Sequence, residues 1–205
     1  MLQAGADVIT LGNHTFRRDG IGEYLARSER VIRPANAARF APGRGVAFAE
    51  ARNGVTVAVL NLLGQLFLDT PVSPWEVVDE LVDEARLRTP VVVVDFHAEA
   101  TSEKIAMARW LDGRATAVIG THTHVQTNDA RVLPKGTAAV TDAGMTGPHD
   151  TVIGVQAELA IARMRTRMPV RFQPGEGGVR IEGVIVDCSA ESGRASGIEL
   201  LRVPA

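Results

Sequence analysis

The sequence predicts an α/β fold in which a largely parallel β-sheet is flanked by helices. Strand-like segments alternate along the chain with helix-like segments, which is the pattern of α/β proteins. Three apolar, β-branched runs are continuous, as buried parallel strands are: Val8–Leu11, Val91–Val94 and Ala117–Ile119. A short motif that carries histidine follows each of these runs.

The same patterns place the remaining elements in order. The predicted strands are Asp7–Leu11, Gly45–Glu50, Thr56–Leu62, Val91–Phe96, Thr116–Thr121, Gly136–Thr141, Val170–Phe172 and Val179–Asp187, with Ala195–Arg202 as a further candidate. The predicted helices are Ile21–Ser28, Pro74–Leu87, Glu103–Leu111 and Val155–Thr166.

Several element ends carry their own signals. Ser73 followed by Pro74 is typical of an N-cap and the first helical position. The hydroxyls of Thr101–Ser102 similarly precede a predicted helix. Gly175–Gly178 resembles a hairpin turn, and Met1–Asp7 resembles the last turn of a helix, a glycine stop and a strand start. We therefore expect the chain to begin inside a fold rather than at its edge.

Composition indicates one globular domain over residues 1–205. A formal net charge of -2 provides no general attraction to nucleic-acid backbones or anionic membranes. Cys188 is the single cysteine, so an internal disulfide is excluded and a cytoplasmic location is expected. The longest apolar stretches are too short for a membrane span.

The histidine motifs are the candidate functional residues. Asn13 and His14 follow the first apolar run, His97 follows the second, and His122 and His124 follow the third. In open α/β sheets, ligands bind beyond the carboxyl ends of the strands. Two histidines at a spacing of two project from the same side of extended chain, so one loop can supply both. The motifs together predict a metal site at one edge of the sheet.

Each motif taken alone has a plainer interpretation. His122 and His124 fit two surface histidines, Asn13 fits a residue that caps a local turn, and His97 fits a core histidine bonded to backbone. Asp95 and Glu99 flank His97, where they either orient its ring or are simply solvated.

His149 lies in a turn with no strand before it, so we expect it at the surface.

The order of these motifs resembles the calcineurin-like metallophosphoesterases, and specifically their YmdB-like branch. The blocks that carry the resemblance are Ile9–Thr15, Arg33–Asn36, Asp95–Lys104, Gly120–Thr127, Leu133–Thr137 and Thr141–Pro148. The resemblance spans essentially the whole chain. It implies a two-sheet β core flanked by helices, with the site at the sheet edge.

The resemblance also implies roles for individual residues. Asn13, His97 and His122 would hold one metal ion and His124 a second, with iron or manganese expected. His14 would lie outside the metal shell and protonate the leaving oxygen or stabilise charge on the phosphoryl group. Many superfamily members carry an acidic residue after this Asn-His pair to orient the imidazole, whereas this chain has Thr15.

Two motifs of the family are absent from the sequence. These are an aspartate at the end of the first strand and a Glu-Asn pair after the second, both of which normally precede the Gly-Asn-His block. They provide a terminal ligand, the carboxylate that bridges the metals, and a phosphate or supporting contact. Our expectation is an N-terminally truncated form of the fold, with Met1 as an internal codon, that binds at most one metal tightly and turns over poorly.

The function implied by the resemblance is hydrolysis of 2′,3′-cyclic nucleotides or related phosphodiesters by a hydroxide activated between two metals. Two alternatives stay open: a shortened, non-catalytic regulatory relative, and a metallophosphatase that acts on another phosphoester. The expected partner is a small phosphodiester, without bulk nucleic-acid or membrane binding, and self-association into a homo-oligomer is compatible with the sequence.

Overall fold

The computed structural model describes residues 1–204, and its centre is a six-stranded sheet. Its strands are β3 (Val46–Glu50), β4 (Thr56–Leu63), β5 (Val92–His97), β6 (Ala117–Thr121), β7 (Arg131–Val132) and β8 (Ala138–Val140). They lie in the order β3-β4-β5-β6-β8-β7. The inner four strands are parallel, while β3 and β7 are antiparallel edges. The predicted parallel strands at Val91–Val94 and Ala117–Ile119 are therefore confirmed, whereas Val8–Leu11 forms only the short, partly buried strand Ile9–Thr10 outside this sheet.

The other elements form smaller units around this sheet. The remaining strands are β1 (Ile9–Thr10), β2 (Val31–Ile32), β9 (Gly147–Pro148), β10 (Val179–Cys188) and β11 (Ala195–Pro204). The helices are α1 (Ile21–Arg27), α2 (Pro74–Arg86), α3 (Thr101–Trp110) and α4 (Ala157–Thr166), with a short 3-10 helix at Leu2–Ala4. β1 pairs in parallel with β2, and β10 is the centre of a three-stranded antiparallel sheet with β9 and β11.

The core has two layers, one on each face of the large sheet. On one face, Val78 and Val82 of α2 and Met107 of α3 pack against strand residues that include Leu60 and Phe96, all fully buried. Burial of each such side chain contributes roughly 1.5 to 3 kcal/mol.

The second layer lies on the opposite face of the sheet. There Ala117 and Ala138 pack against Ala195, together with the partly buried Val186 and Ile198 of the β10–β11 hairpin. Small residues on the large sheet allow the hairpin to approach closely. A two-sheet core flanked by helices, as the family resemblance implied, is the observed architecture.

Some predicted elements are corrected by the structure. Val170–Phe172 is not a strand, because no neighbouring strand forms a ladder with it among the described residues and Arg171 and Phe172 are exposed. Gly177 and Gly178 pair instead with the backbone of Asp150 and His149. The three missed strands, β2, β7 and β9, have two residues each, which is too short for a periodic signal.

The predicted helix starts are correct within a few residues, but their caps differ. Ser73 is the N-cap of α2 with Pro74 after it, although its hydroxyl makes no capping hydrogen bond. Helix α3 begins at Thr101 with Ala100 as its N-cap, so the predicted capping hydroxyls lie inside the first turn. Gly5 ends the 3-10 helix with a φ of 101°, as the predicted glycine stop requires.

The sheet register aligns the carboxyl ends of three strands. Leu63 of β4 pairs with His97 of β5, which in turn pairs with Thr121 of β6. Residues that follow these positions emerge at one edge of the sheet. Across residues 1–204, none of the helices has both the length and the apolar character needed to cross a membrane.

Candidate metal centre

Three of the predicted metal ligands meet at this edge of the sheet. Asn13 Oδ1 lies 3.2 Å from His97 Nε2, and His122 Nδ1 lies 3.1 Å from the same nitrogen. The His97 and His122 rings are arranged edge to face, with their centroids 4.8 Å apart. The structure thus brings together residues that are far apart in the sequence, since 84 positions separate Asn13 from His97.

Gly12 is required for this approach because the His97 ring packs directly against its Cα. A Cβ at position 12 would overlap Cε1 and Nε2 of the imidazole. The glycine in the Gly-Asn-His motif therefore provides space for a ligand that comes from another strand. Many superfamily members carry an acidic residue at the position of Thr15. Thr15 is buried, and its hydroxyl donates to the Gly12 carbonyl at 2.6 Å rather than to His14.

A hydrogen-bond chain determines which nitrogen of His97 carries the proton. The Thr121 hydroxyl donates to Asp95 Oδ1 at 2.8 Å, and its oxygen lies 3.0 Å from His97 Nδ1. Because that hydroxyl has only one proton, its oxygen accepts from the Nδ1–H of His97. The Nε2 lone pair of His97 is then free and faces Asn13. Asp95 therefore acts on His97 through Thr121 and not by direct contact.

Glu99 orients the ring of His122 by a direct contact. Its Oε2 lies 2.9 Å from His122 Nε2, so the ring donates there and presents the Nδ1 lone pair to the cluster. The sequence placed Glu99 beside His97, but the structure pairs it with His122. Carboxylates that orient metal-binding imidazoles in this way are a general feature of metal sites.

With both rings neutral, the cluster presents three lone pairs to one another, from Asn13 Oδ1, His97 Nε2 and His122 Nδ1. A cation among them would satisfy all three, and a proton on His122 Nδ1 would instead be donated to His97 Nε2. Ligand atoms about 2.1 Å from a metal and at right angles to one another are about 3 Å apart, which matches the observed 3.1 and 3.2 Å.

The ionisation of His97 suits the same role. Burial, together with the neighbouring His122 and Lys104, lowers the pKa of His97 to about 4, so the ring is neutral at physiological pH. Within residues 1–204, no group of three or more His, Cys, Asp or Glu side chains is positioned to hold a metal ion. The triad here has two such residues and takes its third donor from an asparagine amide. The residues present fit one metal ion.

His14 and His124 lie next to this triad but outside it. His14 is exposed, and its pKa is lowered by partial burial, by the charge of Arg17 and by the nearby His122 and His124. His124 Nδ1 lies 3.0 Å from the carbonyl oxygen of Ile153, to which it donates, so its Nε2 is the nitrogen available to a ligand.

The loop that carries these histidines has an unusual backbone and a buried anchor. His122 and His124 have φ angles of 104° and 65°, values that non-glycine residues seldom adopt outside functional sites. Between them, the Thr123 N–H and hydroxyl both donate to Asp142 Oδ2, at 3.0 and 2.7 Å. Lys104 Nζ binds the same oxygen at 2.9 Å.

Lys104 and Asp142 are supporting residues that the sequence pattern did not reveal. One signal was present, because Asp142 follows β8 as the histidines follow their strands.

The prediction that His149 lies at the surface is wrong. Its side chain is only 12% exposed and lies 3.2 Å from Glu182 Oε2. The residue before it, Pro148, pairs with Val179 of the distant strand β10, a contact that the sequence pattern could not reveal.

Comparison with known proteins identifies the family of this chain. The family model described as YmdB-like protein matches residues 1–201. The chain belongs to the YmdB-like family. A relative from Bacillus subtilis (strain 168), named 2′,3′-cyclic-nucleotide 2′-phosphodiesterase, is 47% identical over 203 residues, which cover 99% of this chain and 76% of that protein.

Two solved structures have the same fold as this YmdB-like chain. A hypothetical protein from Thermus thermophilus superposes with a TM-score of 0.90 at 39% identity, over 99% of this chain and 78% of that one. A novel phosphatase from Mycoplasma pneumoniae superposes with a TM-score of 0.87 at 33% identity, over 99% of this chain and 74% of that one. The predicted family and fold are both confirmed.

Proposed function

We propose that this YmdB-like chain is a metal-dependent phosphodiesterase that acts on 2′,3′-cyclic nucleotides or related phosphodiesters. The observation that carries the proposal is the convergence of three potential ligand atoms, from Asn13, His97 and His122, at the carboxyl edge of the sheet. The name of the Bacillus subtilis relative supports the choice of substrate class.

Asn13, His97 and His122 would hold one metal ion, and His124 would contact a second through Nε2. Nitrogen and oxygen donors without thiolate favour iron or manganese over structural zinc. Metal ions held there would supply positive charge that polarises the phosphoryl group and activates water for attack on phosphorus. Asp95 through Thr121, and Glu99 directly, keep the two imidazoles of the triad in the tautomers that bind a cation.

His14 is the candidate general acid of the proposed reaction. It is exposed beside the cluster, where its ring can donate a proton to the departing ribose oxygen. Burial and the charge of Arg17 lower the pKa of His14, which reduces the protonated fraction of the ring at neutral pH. Proton donation by His14 is therefore favoured on the acidic side of neutrality.

The decisive experiment measures metal per chain and hydrolysis together. After loading with manganese or iron, elemental mass spectrometry should find no more than one tightly bound metal per chain, because three of the candidate ligands face one position and His124 alone faces the other. His14→Ala should lower turnover of a 2′,3′-cyclic nucleotide and retain metal, whereas His97→Ala and His122→Ala should lose the metal.

The outcomes separate the candidate functions. Equal metal loss in His14→Ala would contradict its assignment as the acid. Metal binding without hydrolysis of any phosphoester would favour the non-catalytic relative. Hydrolysis of phosphomonoesters in preference to 2′,3′-cyclic nucleotides would favour the other metallophosphatase. The cytoplasmic location and self-association stay predictions.

A further inference from the structure

A small cleft adjoins His124, whose ring donates to the carbonyl of Ile153 in the cleft lining. It has a volume of about 230 Å³ and is lined in part by Met145, Ile153, Arg180 and Arg202. Complete small-molecule sites usually have volumes of about 300 to 1,000 Å³, so this cleft suits one part of a ligand whose remainder lies elsewhere. Because His124 is common to the cleft and the candidate metal centre, that remainder would lie at the metal centre.

A buried carboxylate organises one wall of the cleft. Glu182 is 1% exposed, and its oxygens lie 2.8 Å from Arg180, 3.2 Å from Arg202 and 3.2 Å from His149, with the Met145 N–H at 3.3 Å. Although burial alone raises the pKa of Glu182, the hydrogen bonds from His149 and Met145 and the charge of Arg180 lower it. Glu182 Oε1 lies within ion-pair distance of both guanidinium groups but accepts no hydrogen bond among the described residues, so the carboxylate holds the two cations by its charge.

The guanidinium groups retain donors that Glu182 does not use. The Arg180 side chain is 34% exposed, and its accessible donors are those of the Nη atoms, because its Nε is buried. Arg202 remains 55% exposed beside it. An arginine has five N–H groups in a planar fork, so both residues can bind Glu182 and still donate to a ligand. This wall of the cleft is consequently rich in donors and complementary to acceptor atoms.

Another part of the cleft lining is apolar and includes a strained residue. Ile153 has a φ of 47° and Gly154 a φ of 99°, and the flanking Val152 and Val155 exchange both backbone hydrogen bonds. Positive φ at both central positions is typical of type I′ turns, where Asn-Gly is preferred. A β-branched isoleucine is strained in this conformation, and its side chain, 51% exposed, recovers little of the strain by burial.

We propose that this cleft binds the nucleobase of the substrate and prefers guanine to adenine, an inference that rests on the function proposed above. The base would lie against Ile153 and Met145 while Arg180 and Arg202 donate to its edge. Guanine offers the acceptors O6 and N7, the pair that arginine recognises with two hydrogen bonds. Adenine places an amino donor in the position of O6, where it would face the arginine donors.

The test is an NMR titration of the full chain with guanosine and, separately, with adenosine. Guanosine should bind at least fivefold more tightly than adenosine. Arg202→Met should weaken guanosine binding about tenfold, whereas the matched variant Arg52→Met, in an exposed turn, should not change it. Absence of guanosine binding, equal affinity for the two nucleosides, or equal effects of the two variants would overturn the proposal.

A second variant separates base binding from folding. Ile153→Asn places the preferred residue in the turn, so the melting temperature should rise by about 2 to 4 °C while guanosine binding weakens. A stabilised variant with unchanged guanosine affinity would contradict the role of Ile153.

A separate titration tests the proposed function. Guanosine 3′-monophosphate is titrated with and without magnesium, which is a diamagnetic ion. If the metal centre binds the phosphate, magnesium should increase the affinity for the nucleotide but not for guanosine. If only the proposed function fails, guanosine would still bind and lose affinity in Arg202→Met, but magnesium would give the nucleotide no advantage over guanosine.

Discussion

Lys104 and Asp142 form a buried ion pair that connects helix α3 to the histidine loop. The Lys104 Nζ lies 2.9 Å from Asp142 Oδ2, and the two side chains are 3% and 1% exposed. The same carboxylate accepts two hydrogen bonds from Thr123, and its other oxygen accepts the Gly144 N–H at 2.9 Å. The loop that presents His122 and His124 therefore depends on a charge whose partner lies on a different element.

Removal of Lys104 should destabilise the protein strongly. Lys104→Met leaves the Asp142 carboxylate buried without a counter-charge, which typically costs about 3 to 5 kcal/mol. Urea denaturation should show this loss, whereas Lys135→Met, at the exposed lysine, should lie within about 0.5 kcal/mol of the parent. The double variant Lys104→Met/Asp142→Asn should recover part of the loss, because no buried charge is left unpaired. A double variant less stable than Lys104→Met would contradict this account.

Substitution of Gly12 should impair metal binding rather than folding. The Cβ of Gly12→Ala would overlap the His97 ring and displace Nε2 from the triad. We expect at least a tenfold loss of manganese affinity in equilibrium dialysis. Gly183→Ala is the matched control, since a Cβ there has no neighbour within 4 Å. Unchanged affinity in Gly12→Ala would show that His97 does not bind the metal in the observed position.

Glu99 provides a test of imidazole orientation. In Glu99→Gln the neutral amide can accept from His122 Nε2 but stabilises the metal-bound ring less than a carboxylate does. Loss of such an orienting partner typically lowers metal affinity about 10- to 100-fold. Glu50→Gln, at the exposed end of β3, is a suitable control. Equal affinities for these two variants would indicate that the contact of 2.9 Å between Glu99 and His122 has no functional role.

Asp95 should make stability depend on pH. Burial raises its pKa to about 6, although hydrogen bonds from Thr10 and Thr121 oppose this shift. Because the folded-state pKa exceeds the unfolded value of about 3.9, the folded protein binds the proton more tightly, and this contribution to stability is lost as pH rises from about 4 to above 6. The ionised carboxylate then costs at most about 3 kcal/mol.

Replacement of Asp95 by asparagine removes that cost. Asp95→Asn should therefore be more stable than the parent at pH 8 and similar to it at pH 4, as measured by urea denaturation. It should also bind manganese more weakly, since Thr121 then donates to a neutral amide oxygen, which stabilises the metal-bound His97 ring less than a carboxylate does. A stability difference that is the same at both pH values would contradict the raised pKa of Asp95.

Much of the candidate site followed from local sequence pattern. Continuous apolar runs predicted parallel strands, and the residues after them, Asn13, His97 and His122, meet as expected at one sheet edge. After β8 the pattern was less informative: the two-residue strand β9 was missed and Val170–Phe172 was wrongly predicted as a strand. The partner of β9 is the distant β10, and periodicity within a segment carries no information about such partners.

The sequence by itself determined the order of the main strands and helices and the types of the candidate ligand residues. It also indicated that these ligands lie at one edge of the sheet. All of this depends on residues that are close in the chain. Only the tertiary structure decided which groups orient the ligands: Glu99 contacts His122, Asp95 acts through Thr121, and Lys104 neutralises Asp142. These pairings depend on strand register and on the placement of helix α3 against the sheet. Both are set by packing between elements that are far apart in the sequence.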